Sequence, residues 1–187
     1  MAIDRKKILT IAMTAMAIAI LGGAAISAQD KYSLKVPGGL AFSEFRGYEN
    51  WEVVNVAHTD DLIKVIVGNP VAMEAYRAGV PGGGKPFPDG ARLAKIEWKK
   101  EQHADAPYPI KVPGAIYDLD FMVKDSKRFA DGNGWGYAVF KWDAASNGYA
   151  PATLTHVPPQ ANDAKCGVAC HTIAKGKDHV FTTYARR

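Results

Sequence analysis

The residues best suited to do chemistry lie together in Lys165-Cys166-Gly167-Val168-Ala169-Cys170-His171, which holds both cysteines of the chain and a histidine directly after the second. Two thiols beside an imidazole suit covalent haem attachment: each sulfur adds to a vinyl group, and the histidine ligates iron from the proximal side. The usual spacing leaves two residues between the cysteines, and here there are three. One more residue in a turn still keeps both sulfurs near one histidine. Two other readings stay open. A disulfide between cysteines four apart would close a short loop and gain little. A zinc site would need a fourth ligand, for which His179 is the candidate nearby. No methionine follows Cys170, and beyond the N-terminal region only Met73 and Met122 remain. The axial methionine of electron-carrying cytochromes is therefore not in place, and a five-coordinate haem with an open distal face is expected. His58 and His103 stand in polar loop contexts and His156 in a Pro-rich one, none at ligand spacing to another; all three are expected at the surface.

The elements that must position this motif follow from composition and periodicity. A chain of 187 residues suggests one domain with a sizeable core. Its start reads separately: Arg5, Lys6 and Lys7 precede an uncharged run from Ile8 to Gln29 that closes on Ala24-Ala25-Ile26-Ser27-Ala28. That succession predicts a signal peptide over residues 1–28, cleaved after Ser27 or Ala28, with an uncleaved membrane anchor as the alternative. No cysteine lies there for a lipid anchor. Export to a periplasm suits a haem attached outside the cytoplasm. Cleavage would lower the formal charge from +4 to +2, too small and scattered an excess to imply nucleic acid or an anionic membrane.

Residues 29–50 read as a ragged N-terminal lead, and 51–187 as the domain. Strands are expected at 51–57, 62–67, 91–98, 115–123, 135–142 and 180–184. Asn69 caps a helix with Pro70 at its first position; the helix continues over 71–78, and Gly79 and Pro81 end it. A short helix is expected from Lys124 to Phe129, closed by Gly132-Asn133-Gly134. Period two sets Ala91, Leu93, Lys95 and Glu97 on one face of their strand. It also sets Ile116, Asp118, Asp120 and Met122 opposite Tyr117, Leu119, Phe121 and Val123 on the next. A mid-strand lysine such as Lys95 is by itself an ordinary residue of a solvated face. Gly82-Gly83-Gly84-Lys85 lacks the spacing of a phosphate loop and reads as a connector. Tyr117, Phe121, Trp135, Tyr137 and Phe140 could wall a haem, or simply fill the core. The sum is an α+β fold: one antiparallel, β-rich domain with a few short helices.

Several pieces in order resemble the cytochrome P460 family. These are Phe87-Pro88-Asp89-Gly90 with Lys95 five residues on, Asp120 with Val123-Lys124-Asp125-Ser126-Lys127-Arg128-Phe129-Ala130, Gly134-Trp135-Gly136-Tyr137, the cysteine-histidine motif, and Val180-Phe181. The resemblance implies a β-rich, homodimeric, periplasmic mono-haem protein carrying haem c on one face of the sheet. It implies bonding of that haem through Cys166, Cys170 and the iron ligand His171. The family's enzymes oxidise hydroxylamine, with nitric oxide as intermediate or co-substrate, to nitrous oxide or nitrite, and pass electrons to an external acceptor such as a soluble cytochrome c. Lys95 matches the lysine that those enzymes bond to the haem ring. Asp120 matches the carboxylate that accepts a proton above the iron, one methylene shorter than the usual glutamate. A related branch, the beta-type cytochromes c-prime, lacks the cross-link and only binds nitric oxide or carbon monoxide. The resemblance leaves that branch as the alternative.

Overall fold

The computed structural model describes residues 30–185; the expected signal peptide, residues 1–28, lies outside them. Six strands form one sheet, β1 (Glu52–His58), β2 (Leu62–Gly68), β3 (Arg92–Gln102), β4 (Lys111–Lys124), β5 (Trp135–Asp143) and β6 (Gly148–Pro151). They lie side by side in chain order, each antiparallel to the next. Valine, isoleucine and aromatic residues dominate β2 and β5, the side chains that pack best on a pleated surface. The expected β-rich α+β fold is the one observed.

Helix α1 (Pro70–Arg77) forms where both ends carry their own chemistry. The Asn69 side chain accepts from the Ala72 N–H at 3.0 Å and from the Arg92 N–H at 2.9 Å, and donates to the Gly90 carbonyl at 2.9 Å. One asparagine thus caps the helix and ties it to the start of β3. Gly79 takes φ +84°, which ends the helix.

Four expectations are corrected. The β3–β4 hairpin is longer than its sequence suggested, so the loop spans only 103–110, and Pro113 sits inside β4. Proline is tolerated there because β5 pairs with β4 only from Asp118 onward, leaving Pro113 a neighbour on one side alone. The helix expected over 124–129 is a turn. The Asp125 carboxylate accepts from the N–H groups of Lys127 and Arg128 at 3.2 and 2.9 Å, offering the backbone a local alternative to helix. Residues 180–184 form no strand. They are held by single bonds, Tyr76 Oη to the Thr182 carbonyl at 3.2 Å and Asn55 Nδ2 to the Thr183 carbonyl at 2.8 Å among them. Finally, residues 30–50 of the lead are not ragged: three short 3₁₀ turns, Lys31–Ser33, Phe42–Phe45 and Tyr48–Asn50, lie on the sheet.

Those turns carry the roof of the main core. Val36, Leu40, Phe42, Phe45 and Tyr48 are buried against Val67, Ala94, Leu119, Phe121, Ala138 and Phe140 of the sheet. Phe45 stacks on Phe121 at 4.1 Å between ring centres, and Phe42 meets Phe121 and Phe140 at 5.1 and 4.9 Å. A smaller core under α1 holds Met73, Tyr76, Phe87, Leu93 and Trp135.

Candidate functional site

The face of the sheet opposite that roof is built differently. Strand register aligns Lys64, Glu97, Asp118 and Lys141 in one row across β2, β3, β4 and β5, each residue the direct partner of the next. The adjacent row reads Ile66, Lys95, Asp120 and Val139, and the one beyond it brings Leu93, Met122 and Tyr137 together. Lys95 and Asp120, matched from sequence as separate residues, are therefore cross-strand partners.

Charges in these rows pair closely. Lys95 Nζ lies 2.6 Å from Glu97 Oε1 and also pairs with Asp120 Oδ2. Lys64 Nζ lies 3.0 Å from Glu97 Oε1, and Lys141 Nζ lies 2.6 Å from Asp118 Oδ2. Glu97 and Asp118 are only 1% and 0% exposed, so these are carboxylates out of water. Burial alone would lower the Lys95 ammonium, but Asp120 and Glu97 outweigh it and hold it above its ordinary value. Burial likewise works against the Glu97 carboxylate, yet Lys95 and Lys64 keep it below its usual range. Asp120 is raised by burial despite the pull of Lys95. Asp118 is pushed up to about 7, by burial first and then by the charge of Asp120.

Lys95 and Asp120 line a cavity of about 440 Å³ shared with Cys166, Cys170 and His171. Its size falls within the range of small-molecule and cofactor sites. Its other walls include Ile66, Leu93, Met122, Tyr137, Val139, Pro158 and Phe181. Of the aromatic residues considered from sequence, Tyr137 belongs fully to this wall. Phe121 touches the cavity while its ring stacks in the opposite core, Phe140 packs there too, and Trp135 is buried under α1. Tyr117 instead lies under the Lys141 ammonium, 3.9 Å from ring centre to Nζ.

The cysteine-histidine segment is fixed from both ends. Before it, buried Gln160 accepts from the Val139 N–H at 2.9 Å and donates to the carbonyls of Ala161 and Asp163 at 2.7 and 3.0 Å. Tyr137 N–H donates to the Ala164 carbonyl at 2.6 Å, so β5 carries the approach to Cys166. Helix α2 (Val168–His171) then presents Cys170 and His171. A Cβ at position 167 would lie 2.4 Å from Tyr137 Cδ1, so the chain passes the ring only because residue 167 is glycine. After the motif, Lys124 Nζ pairs with Asp178 Oδ1 at 2.8 Å, and Asp178 Oδ2 accepts from the Phe87 N–H at 2.8 Å. This pins the turn at Asp178 and His179, both at positive φ.

That turn sets the histidine. His171 Nδ1 lies 2.7 Å from the His179 carbonyl. A carbonyl only accepts, so Nδ1 carries the hydrogen and Nε2 keeps its lone pair, the arrangement of a metal-ligating imidazole. The ring lies between Tyr137 and Phe181, each 4.7 Å away centre to centre, and burial lowers its proton affinity. Both thiols are free; Cys170 is exposed, and Cys166 is partly buried, its thiol pushed up to about 11 by burial. This set fits a haem: two free thiols and a lone-paired Nε2 on one cavity. It fits zinc poorly. Among the described residues the one group of three possible ligands converging within 4.8 Å is Glu97, Asp118 and Asp120, not the cysteines with His171 and His179. His58, His103 and His156 are exposed, as expected. Met73, a residue of α1, is buried in the smaller core, while Met122 reaches the cavity wall.

The model of the cytochrome P460 family matches residues 45–182, most of the chain. The chain belongs to the cytochrome P460 family. Membership makes it a c-type haem protein of that class, with haem c as its cofactor. No curated protein sequence matches it. The five residues given a bonding or proton-transfer role from the sequence, Lys95, Asp120, Cys166, Cys170 and His171, all line the cavity, while the charged neighbours Lys64, Glu97, Asp118 and Lys141 were missed. Their signal was present in the period-two faces, which set Glu97 with Lys95 and Asp118 with Asp120.

Proposed function

We propose that this cytochrome P460 family member is a periplasmic enzyme that oxidises hydroxylamine, with nitric oxide as intermediate or co-substrate, to nitrous oxide or nitrite. The observation that carries the reading is the pairing of Lys95 with Asp120 on the wall of the cavity that also holds Cys166, Cys170 and His171. Cys166 and Cys170 would hold the haem through thioethers, His171 Nε2 would ligate its iron, and Lys95 Nζ is the amine that would be joined to the ring. When bound, the haem supplies the redox centre that takes electrons from the substrate and passes them to an external acceptor such as a soluble cytochrome c.

The chain's own part is position and proton transfer. The His179 carbonyl fixes the His171 tautomer, and Tyr137 and Phe181 hold its ring plane. Asp120 accepts the proton that hydroxylamine gives up as it is oxidised. Its raised proton affinity suits a base working nearer neutral pH than an exposed aspartate would. The largely apolar wall limits water around it.

An optical spectrum of purified wild type, followed by an assay with hydroxylamine and an artificial electron acceptor, tests the proposal. A displaced haem spectrum with turnover is expected. An ordinary c-haem spectrum with nitric oxide binding and no turnover overturns the enzyme reading in favour of a gas-binding protein.

A further inference from the structure

Glu97 and Asp118 are both buried and stand directly opposite each other on β3 and β4. Like charges so placed repel unless cations or a proton compensate. One oxygen from each of Glu97, Asp118 and Asp120 lies within 4.8 Å of the others. The facing charges are Lys64 from β2, Lys95 from β3 and Lys141 from β5. Tyr149 of β6 stands near enough to feel Asp118, and Cys166 near enough to feel Asp120. Three lysines thus balance three carboxylates while Lys95 is a free ammonium.

An amine bonded to the haem ring carries no positive charge. On the reading of Lys95 given above, the finished protein keeps three carboxylates against two cations. Glu97 retains Lys64 at 3.0 Å, and Asp118 retains Lys141 at 2.6 Å. Asp120, whose ion partner is Lys95, is the group left exposed to its neighbours' charge. A buried cluster with one excess negative charge binds a proton. Asp118 is the better placed of the two to hold it: its side chain is wholly out of water while that of Asp120 keeps 16% exposure on the cavity, and Oδ1 of each lacks a hydrogen-bond partner.

We propose that Asp118 is a positioning residue for the Asp120 base: it stores the one proton that the cluster takes up when Lys95 loses its charge, so that Asp120 stays ionised and free to receive the substrate's proton. Two carboxyl groups side by side are thereby split into a neutral acid and a working base. Both groups lie on β4, two residues apart on one face, which fixes their relation rigidly.

Lys95→Leu removes the same charge without ring bonding, so the test does not depend on the cross-link or on turnover. The haem-loaded Lys95→Leu protein is prepared with carbon-13 in its aspartate carboxyls, and its infrared spectrum is taken across the neutral pH range. The expected result is a protonated-carboxyl band that shifts with the aspartate label in Lys95→Leu, no longer shifts with it in Lys95→Leu/Asp118→Glu, and still shifts with it in Lys95→Leu/Asp120→Glu, swaps that keep the number of carboxylates. If Asp118→Glu does not fold, a labelled band in the Asp120→Glu background decides alone. A band that stops shifting with the label in Lys95→Leu/Asp120→Glu, a band unmoved by the label in Lys95→Leu, or no band at all overturns the proposal. Failure of wild type to oxidise hydroxylamine overturns the function proposed above and leaves this result standing.

Discussion

The two faces of this sheet are made by the same strands and do opposite work. Beneath the N-terminal turns, Ala94, Leu119, Phe121 and Phe140 meet Phe42 and Phe45 with no charge among them. One residue along each strand, Lys95, Asp118, Asp120 and Lys141 form a paired ionic lattice beside a cavity. Side-chain alternation is what permits this: a step of one position reverses the face. The apolar face is where stability resides, since burying aromatic rings stabilises while buried ion pairs roughly offset their own desolvation.

Substitutions should therefore separate the faces. The largest effect is expected from Cys166→Ala with Cys170→Ala, which should abolish haem retention through denaturing gel electrophoresis while circular dichroism still reports the sheet. Next comes Lys95→Leu, which should keep the thioether-bound haem and the fold but lose both the displaced spectrum and hydroxylamine turnover. Asp120→Ala should keep the spectrum and slow turnover by about 10²–10⁴-fold, the usual loss of a general base. On the other face, Phe121→Ala should cost about 3–5 kcal/mol in urea unfolding, independent of pH.

A smaller effect would sharpen the contrast. Asp118 binds its proton more tightly folded than unfolded, its affinity rising from 3.8 to about 7. The stability it contributes is complete below its unfolded value and declines as pH rises through that window. For unlinked protein the decline should be on the order of 1–2 kcal/mol between about pH 4 and 7, given its coupling to Asp120. Asp118→Asn should flatten this slope, and Phe121→Ala should not. The smallest change expected is at neither face: Asn69→Ala should cost about 1–2 kcal/mol by uncapping α1 and freeing β3.

How much of this the residues announced depends on the range of the interaction. Helix α1 was legible because Asn69, Pro70 and Gly79 act within a turn of themselves. The thiols and His171 were legible because their chemistry is local in sequence. The lead over 29–50 was misread, since Val36, Leu40, Phe42 and Phe45 follow no helical or strand period and are ordered by the sheet they cover. The run at 180–184 shows the converse: a β-branched pattern that meets the edge strand β1 only through isolated bonds, Asn55 Nδ2 to the Thr183 carbonyl and the Ala185 N–H to the Val54 carbonyl. The period of two assigned Glu97 and Asp118 to their faces, but their pairing needed the register of the β3–β4 hairpin, which no single strand encodes.

A sheet whose strands neighbour one another in chain order also has a consequence for assembly. Each hairpin closes on residues just synthesised, so pairing requires few distant encounters, and topologies of that kind fold quickly. The last strand ends at Pro151, ahead of both thiols in the chain. The charged rows, the far core and the roof over it can all be in place when Cys166 arrives. The haem-bearing segment is then the last part of the cavity to be added, laid against a wall that the six strands complete without it.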